Sequence, residues 1–221
     1  MPAAGTRALV FANGDLNDGP AVEAALRFSP ESLIVAADGG ARLALACGLV
    51  PRVVVGDLDS LAPDEVDDLQ ARGAEIVRYP AEKDETDLEL ALMVVARRNP
   101  TWIRIIGAIG GRIDQTLANI SLLRLPDLAG WDVRLVSGQQ TLWLIGPGEH
   151  PLEGAPGDTI SLLPLAGDAC DVRTDGLAYP LRGETLRFGP ARGVSNVMLG
   201  TSARVALSAG LLVVVHTPGR A

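Results

Sequence analysis

Residues 32–60 read SLIVAADGGARLALACGLVPRVVVGDLDS. Ser32–Ala37 is an apolar run of strand length, closed by the turn Asp38-Gly39-Gly40. Ala41–Cys47 then spaces its apolar residues as a helix does. Pro51–Val55 is a second apolar run, closed by Gly56-Asp57-Leu58-Asp59-Ser60. Two strands apolar on both faces, joined by a helix, are the mark of a parallel sheet covered on both sides. The pattern continues outward. Arg7–Phe11 is a strand and Ala21–Arg27 a helix; Asp64–Arg72 is an acidic helix and Glu75–Arg78 a short strand. Glu85–Arg98 is the clearest helix, with Leu88, Leu92 and Val95 on one face. Trp102–Ile106 (strand), Asp114–Leu125 (helix) and Val133–Val136 (strand) complete the series.

From residue 139 the character changes. Short apolar runs alternate with Gly, Pro and Asp, and no helix of three turns is evident. Thr141–Ile145, Thr159–Leu163, Thr185–Phe188, Arg204–Leu207 and Leu211–His216 have the spacing of sandwich strands. The expected fold class is therefore an N-terminal parallel-sheet α/β domain, residues 1–138, followed by a C-terminal all-β sandwich, residues 139–221.

The chain carries 27 acidic and 19 basic residues, a net charge of -8. That disfavours non-specific nucleic-acid binding and polybasic contact with anionic membranes. The acidity is uneven: 20 acidic and 13 basic residues fall in 1–138, against 7 and 6 in the rest. The two cysteines, Cys47 and Cys170, are too few and too far apart for a disulfide scaffold or a cysteine zinc site. His150 and His216 are the only histidines and lie away from the acidic loops, which argues against a Ser-His-Asp triad. The first residues lack the features of a secretory signal, and no apolar stretch is long enough to span a membrane, so a cytoplasmic location is expected.

Four polar loops follow expected strands, where open parallel sheets bind ligands. Asp38-Gly39-Gly40 leads into a helix and lets backbone approach a ligand. In GDLDS, an extended backbone would project Asp57 and Asp59 to the same side, a pair suited to Mg²⁺. EKDETD, residues 82–87, opens a helix, with Asp84 as expected N-cap and Asp87 three residues on. Lys83 within it is the only lysine in the chain and a compact donor for phosphate. GAIGGRID, residues 107–114, sets three glycines and Arg112 at a helix start, as a phosphate cradle does. Each loop alone is an ordinary turn or cap. Four acidic or glycine-rich loops at one sheet edge gather like charge, which costs free energy unless a cation binds.

In this order, DGG at Asp38, GDLDS at Gly56, KDETD at Lys83 and GGRIDQ at Gly110 to Gln115 resemble the thiamine pyrophosphokinase (thiamine diphosphokinase) family. Ser195-Asn196, ahead of the closing strand, extends the resemblance to the second module. Leu58 stands where the family usually has an aromatic residue. The resemblance implies a homodimer with active sites at the subunit interface. It implies transfer of pyrophosphate from ATP to the hydroxyethyl group of thiamine, giving thiamine diphosphate and AMP, with Mg²⁺. It implies Asp57, Asp59 and Asp87 as metal carboxylates and Asp38 near the reacting hydroxyl or in the metal shell. Asn13, Gly14, Lys83, Asp84, Thr86, Gly111, Arg112, Asp114 and Gln115 are then expected on the nucleotide, and Ser195 and Asn196 on thiamine. Asp38 and Asp59 both remain open as acceptors of the hydroxyl proton. The rival readings are a 6-hydroxymethyl-dihydropterin pyrophosphokinase, a non-catalytic thiamine or nucleotide sensor, and a metal-dependent phosphatase.

Overall fold

Strand β1, Arg7–Phe11, has four of its five side chains wholly removed from solvent. A strand buried that completely must have neighbours on both edges and cover on both faces. The computed structural model describes residues 6–219 and supplies both. Beside β1 lie β2 (Ser32–Ala37), β3 (Val53–Gly56) and β4 (Glu75–Arg78) on one side, and β5 (Trp102–Ile106) and β6 (Asp132–Ser137) on the other. Every pairing among these six is parallel, in the order β6-β5-β1-β2-β3-β4. The chain walks from β1 to β4 in one direction, then returns across β1 for β5 and β6. That reversal opens a crevice at the carboxyl ends of the strands.

Helices α1 (Pro20–Leu26), α2 (Gly40–Ala46), α3 (Pro63–Ala71), α4 (Asp87–Ala96) and α5 (Ile113–Leu122) lie between the strands in sequence. Helix α4 packs on β2 and β3 and buries Leu88, Leu90, Ala91, Leu92, Val94 and Val95, more than a single amphipathic stripe. Each fully buried Leu or Val contributes roughly 1.5–3 kcal/mol to holding it there. Helix α4 begins at Asp87, two residues later than its sequence indicates, and α5 stops at Leu122 and not Leu125.

A second unit begins at Gln139. Its strands are β7 (Gln140–Ile145), β8 (Gly148–Glu153), β9 (Thr159–Pro164), β10 (Ala169–Asp175), β11 (Arg182–Leu186), β12 (Asn196–Val197), β13 (Ser202–Leu207) and β14 (Leu212–Thr217). They form two antiparallel arrays, β12-β9-β14-β7 and β11-β10-β13-β8. Ile160, Leu162 and Val214 of the first share one core with Leu152, Val172 and Val205 of the second. Strands β8, β10 and β12 go beyond the sequence reading. Strand β8 holds Pro151 and pairs only with β13, so it is an edge, where proline is tolerated.

Within this unit Asp158 is buried and fully engaged. Its Oδ2 accepts from Ala155 N–H and lies 2.8 Å from His216 Nε2, and its Oδ1 accepts from Gly219 N–H. Burial pushes this carboxyl up, but the hydrogen bonds from Gly219, His216 and Ala155 outweigh it and leave it below the usual range. Among the described residues, no helix is long and apolar enough to cross a membrane.

Candidate active site

The loops at the carboxyl ends of β1, β2, β3 and β5, with the segment entering α4, enclose a cavity of about 520 Å³ in the first unit. Asn13 and Gly14 reach it from β1, Asp38 from β2, and Asp57, Asp59 and Ser60 from β3. Lys83, Thr86 and Asp87 come from the entry to α4, and Gly111, Arg112 and Gln115 from the start of α5.

Asp38 is 4% exposed and adopts φ 46°, with its N–H bonded to Val55 C=O. This left-handed bend turns the chain sharply off β2. The following Gly40 starts α2 against β1: a Cβ there would collide with Phe11 C=O. Gly40 thus serves helix–strand packing; the sequence reading gave that freedom to a ligand.

The GDLDS loop is not extended. Leu58 takes φ 66° and buries its side chain in the core, while Asp59 N–H donates to Asp57 Oδ1 at 3.2 Å. The resulting turn still brings the carboxylates together. Carboxylate oxygens of Asp38, Asp57 and Asp59 lie within 4.8 Å of one another. Gly56, at φ 150°, is what allows Asp87 to approach them. A Cβ there would stand 3.0 Å from Asp87 Oδ1 and 3.2 Å from Asp38 Cβ. The trio among the described residues therefore contains Asp38, one of the two places the resemblance allowed it, while Asp87 stands just behind.

Lys83 is 10% exposed and reaches into this cluster. Its Nζ donates to Asp57 Oδ2 at 2.9 Å and lies 3.0 Å from Asp87 Oδ1, the latter an ion pair without hydrogen-bond geometry. The Lys83 bond holds the Asp57 carboxyl below the usual range. Burial drives Asp87 the other way, and the charges of Asp57 and Asp38 add to that rise. Burial lowers the Lys83 ammonium, but its two carboxylate partners more than compensate. Asp87 Oδ1 is buried with the Lys83 ion pair as its compensation, whereas Asp38 Oδ1 is buried with no hydrogen-bond donor and no ion pair among the described residues. Such an atom is costly unless something binds it.

Asn13 Nδ2 donates to Ser60 Oγ, which in turn donates to Asp59 Oδ1, tying the β1 loop to the carboxylates. Thr86, not Asp84, caps α4: its Oγ1 accepts from Glu89 N–H at 3.2 Å. Asp84 is exposed and does not line the cavity. Arg112 is 72% exposed and pairs with Asp114, itself outside the cavity lining, so each holds the other's charged form. Thr116 and Asn119 escaped the sequence reading. Thr116 Oγ1 accepts from Gly110 N–H and Asn119 Nδ2 donates to Ala108 C=O, fixing the glycine loop to α5.

Ser195 and Asn196 belong to the second unit. Asn196 is buried, its Oδ1 accepting from Tyr179 N–H and Val197 N–H and its Nδ2 donating to Tyr179 C=O. It clasps the backbone of Tyr179, whose side chain is 62% exposed. Ser195 sits at φ 60° with its N–H on Ser161 Oγ.

Residues 25–130 match the family model of the thiamin pyrophosphokinase catalytic domain, and residues 149–212 match that of the thiamin pyrophosphokinase vitamin B1 binding domain. The chain belongs to the thiamin pyrophosphokinase family. It is 29% identical over 187 residues to thiamine pyrophosphokinase of Bacillus subtilis, covering 84% of this chain and 87% of that one. It is 27% identical to thiamine pyrophosphokinase 1 of Oryza sativa subsp. japonica, covering 73% of this chain and 64% of the plant protein. The crystal structure of the Bacillus subtilis enzyme superposes with a TM-score of 0.85 at 27% identity, over 96% of this chain and 99% of that one. A thiamin pyrophosphokinase family protein from Enterococcus faecalis also superposes with a TM-score of 0.85, at 29% identity and the same coverage of both chains. The α/β unit followed by a β unit is thus the architecture of this family.

Proposed function

We propose that the protein is a thiamine pyrophosphokinase that uses ATP and Mg²⁺ and releases AMP. The observation that carries the site assignment is the carboxylate trio, with a donorless buried Oδ1 on Asp38, a residue lining the cavity of a chain from this family. The donor set fits Mg²⁺: it is all hard oxygen, it is anionic, and it contains a buried oxygen, Asp38 Oδ1, that no protein donor satisfies. Asp38, Asp57 and Asp59 would hold the ion, with Asp87 behind them. When bound, the ion supplies positive charge to the phosphates of ATP.

The chain's own residues do the rest. The thiamine hydroxyl oxygen forms a bond to the β-phosphorus of ATP as the bond to the α-phosphate oxygen breaks, and AMP departs. Such chemistry needs alignment and charge neutralisation more than covalent help. Arg112, exposed and held by Asp114 alone among the described residues, exchanges that partner for phosphate. Gly111, Thr86 and Gln115 shape the phosphate end of the cavity, and Asn13, Gly14 and Lys83 flank it. Asp84 and Asp114 stand further out and act on the nucleotide only through the loops they belong to. The hydroxyl proton passes to Asp38 or Asp59, the two carboxylates of the trio that Lys83 leaves unpaired.

The proposal includes a cytoplasmic homodimer in which Ser195 and Asn196 serve thiamine in the site of the other copy. The Asn196 clasp supports this by presenting Tyr179, and exposed Phe188 and Leu199 are side chains that a second copy would cover. The test is incubation with ATP, Mg²⁺ and thiamine, following AMP and thiamine diphosphate together. Formation of ADP with thiamine monophosphate, or transfer to 6-hydroxymethyl-dihydropterin in preference to thiamine, would refute it. Asp57→Asn retaining full activity would remove the metal assignment, and a monomer in light scattering would remove the shared site.

A further inference from the structure

The cluster already contains a cation of its own. Lys83 is the only lysine in the chain, nine-tenths buried, and its ammonium touches two carboxylates supplied by different segments, Asp57 after β3 and Asp87 at the start of α4. A lysine whose stem merely carried its charge to phosphate would extend into the open cavity. This one lies on the cavity wall with its ammonium held between Asp57 and Asp87, and it leaves Asp38 and Asp59 without an ion pair among the described residues.

We propose that Lys83 is a tethered counter-ion: it holds Asp57 and Asp87 in place before a divalent ion arrives, and it weakens the cluster's affinity for that ion. The proposal rests on the metal reading above for its second half only. Charge sets the logic. Asp38, Asp57, Asp59 and Asp87 together carry four negative charges when ionised, and Lys83 cancels one. Without it the carboxylates repel one another at close range, which destabilises the empty protein. The same loss raises the negative field felt by an incoming cation. Lys83 therefore exchanges cation affinity for a site that stays assembled when empty. A site assembled in advance binds metal and nucleotide together without first reorganising.

Lys83→Met keeps the stem and removes the charge, and Lys83→Arg keeps the charge. Two readouts separate the halves of the proposal. In EDTA, the melting temperature of K83M is expected to fall by several degrees and that of K83R to recover part of the loss. In titrations with Mn²⁺ alone, followed by electron paramagnetic resonance, K83M is expected to bind about tenfold tighter or better than the parent. Melting in EDTA unchanged by K83M overturns the counter-ion role, and Mn²⁺ affinity unchanged or weakened in K83M overturns the tuning role. If neither protein binds Mn²⁺, the metal reading fails, while the EDTA melting still decides what Lys83 does to the empty cluster.

Discussion

Two buried aspartates in this molecule have opposite fates. Asp158, in the β unit, has both oxygens engaged, by two backbone N–H groups and by His216. Asp38, in the α/β unit, is as deeply buried, yet its Oδ1 has no donor. Folding alone explains the first: three hydrogen bonds repay its desolvation and lock a turn to the last strand. Folding alone does not explain the second, whose burial beside Asp57 and Asp59 costs stability. A satisfied buried charge marks structure, and an unsatisfied one beside a cavity marks chemistry.

The contrast can be broken by experiment. The largest effect is expected from Asp38→Asn: kcat falls by about 10²-fold or more, while the melting temperature in EDTA holds or rises because one like charge is gone. A variant that loses stability and keeps its rate would place Asp38 with Asp158. Asp158→Asn should do the reverse, costing about 1–3 kcal/mol in denaturant unfolding with kcat per folded molecule retained. The pH dependence sharpens that result. The Asp158 carboxyl is held below its usual range in the fold, so its stabilisation is present above about pH 3.9 and disappears as pH falls through the lowered value. The stability gap between parent and variant should therefore close in acid; a gap independent of pH would show that charge is not involved. The smallest effect is Thr86→Ala, which removes the α4 cap and should cost about 1 kcal/mol in urea unfolding.

Much of the fold was legible because the parallel strands are uninterrupted apolar runs between turns. Arg7–Phe11, Ser32–Ala37, Glu75–Arg78 and Trp102–Ile106 have the bounds their sequence indicates. Strands β8 and β10 were not legible, since Pro151 and the alternating charges of ACDVRTD obscure a half-exposed strand. At the cavity, the polar loops could be found from their place after strands. Their internal geometry could not. The left-handed turn at Leu58, the choice of Thr86 over Asp84 as cap and the swing of Lys83 onto Asp57 depend on partners from other loops. Asn196 shows the same limit: only the fold reveals that its amide is spent on the backbone of Tyr179.

The place of β1 in its sheet also bears on how the protein is made. Its Arg7 aligns with Ser32 of β2 on one edge and with Trp102 of β5 on the other, about 95 residues later in the chain. At translation rates of about 5–20 residues per second, that second edge waits roughly 5–20 s for its neighbour to leave the ribosome. Through that interval the nascent chain carries RALVF with one row of backbone groups unpaired, a template for any passing strand. A fragment ending before Trp102 would keep that edge bare permanently and aggregate, however well its first four strands pair.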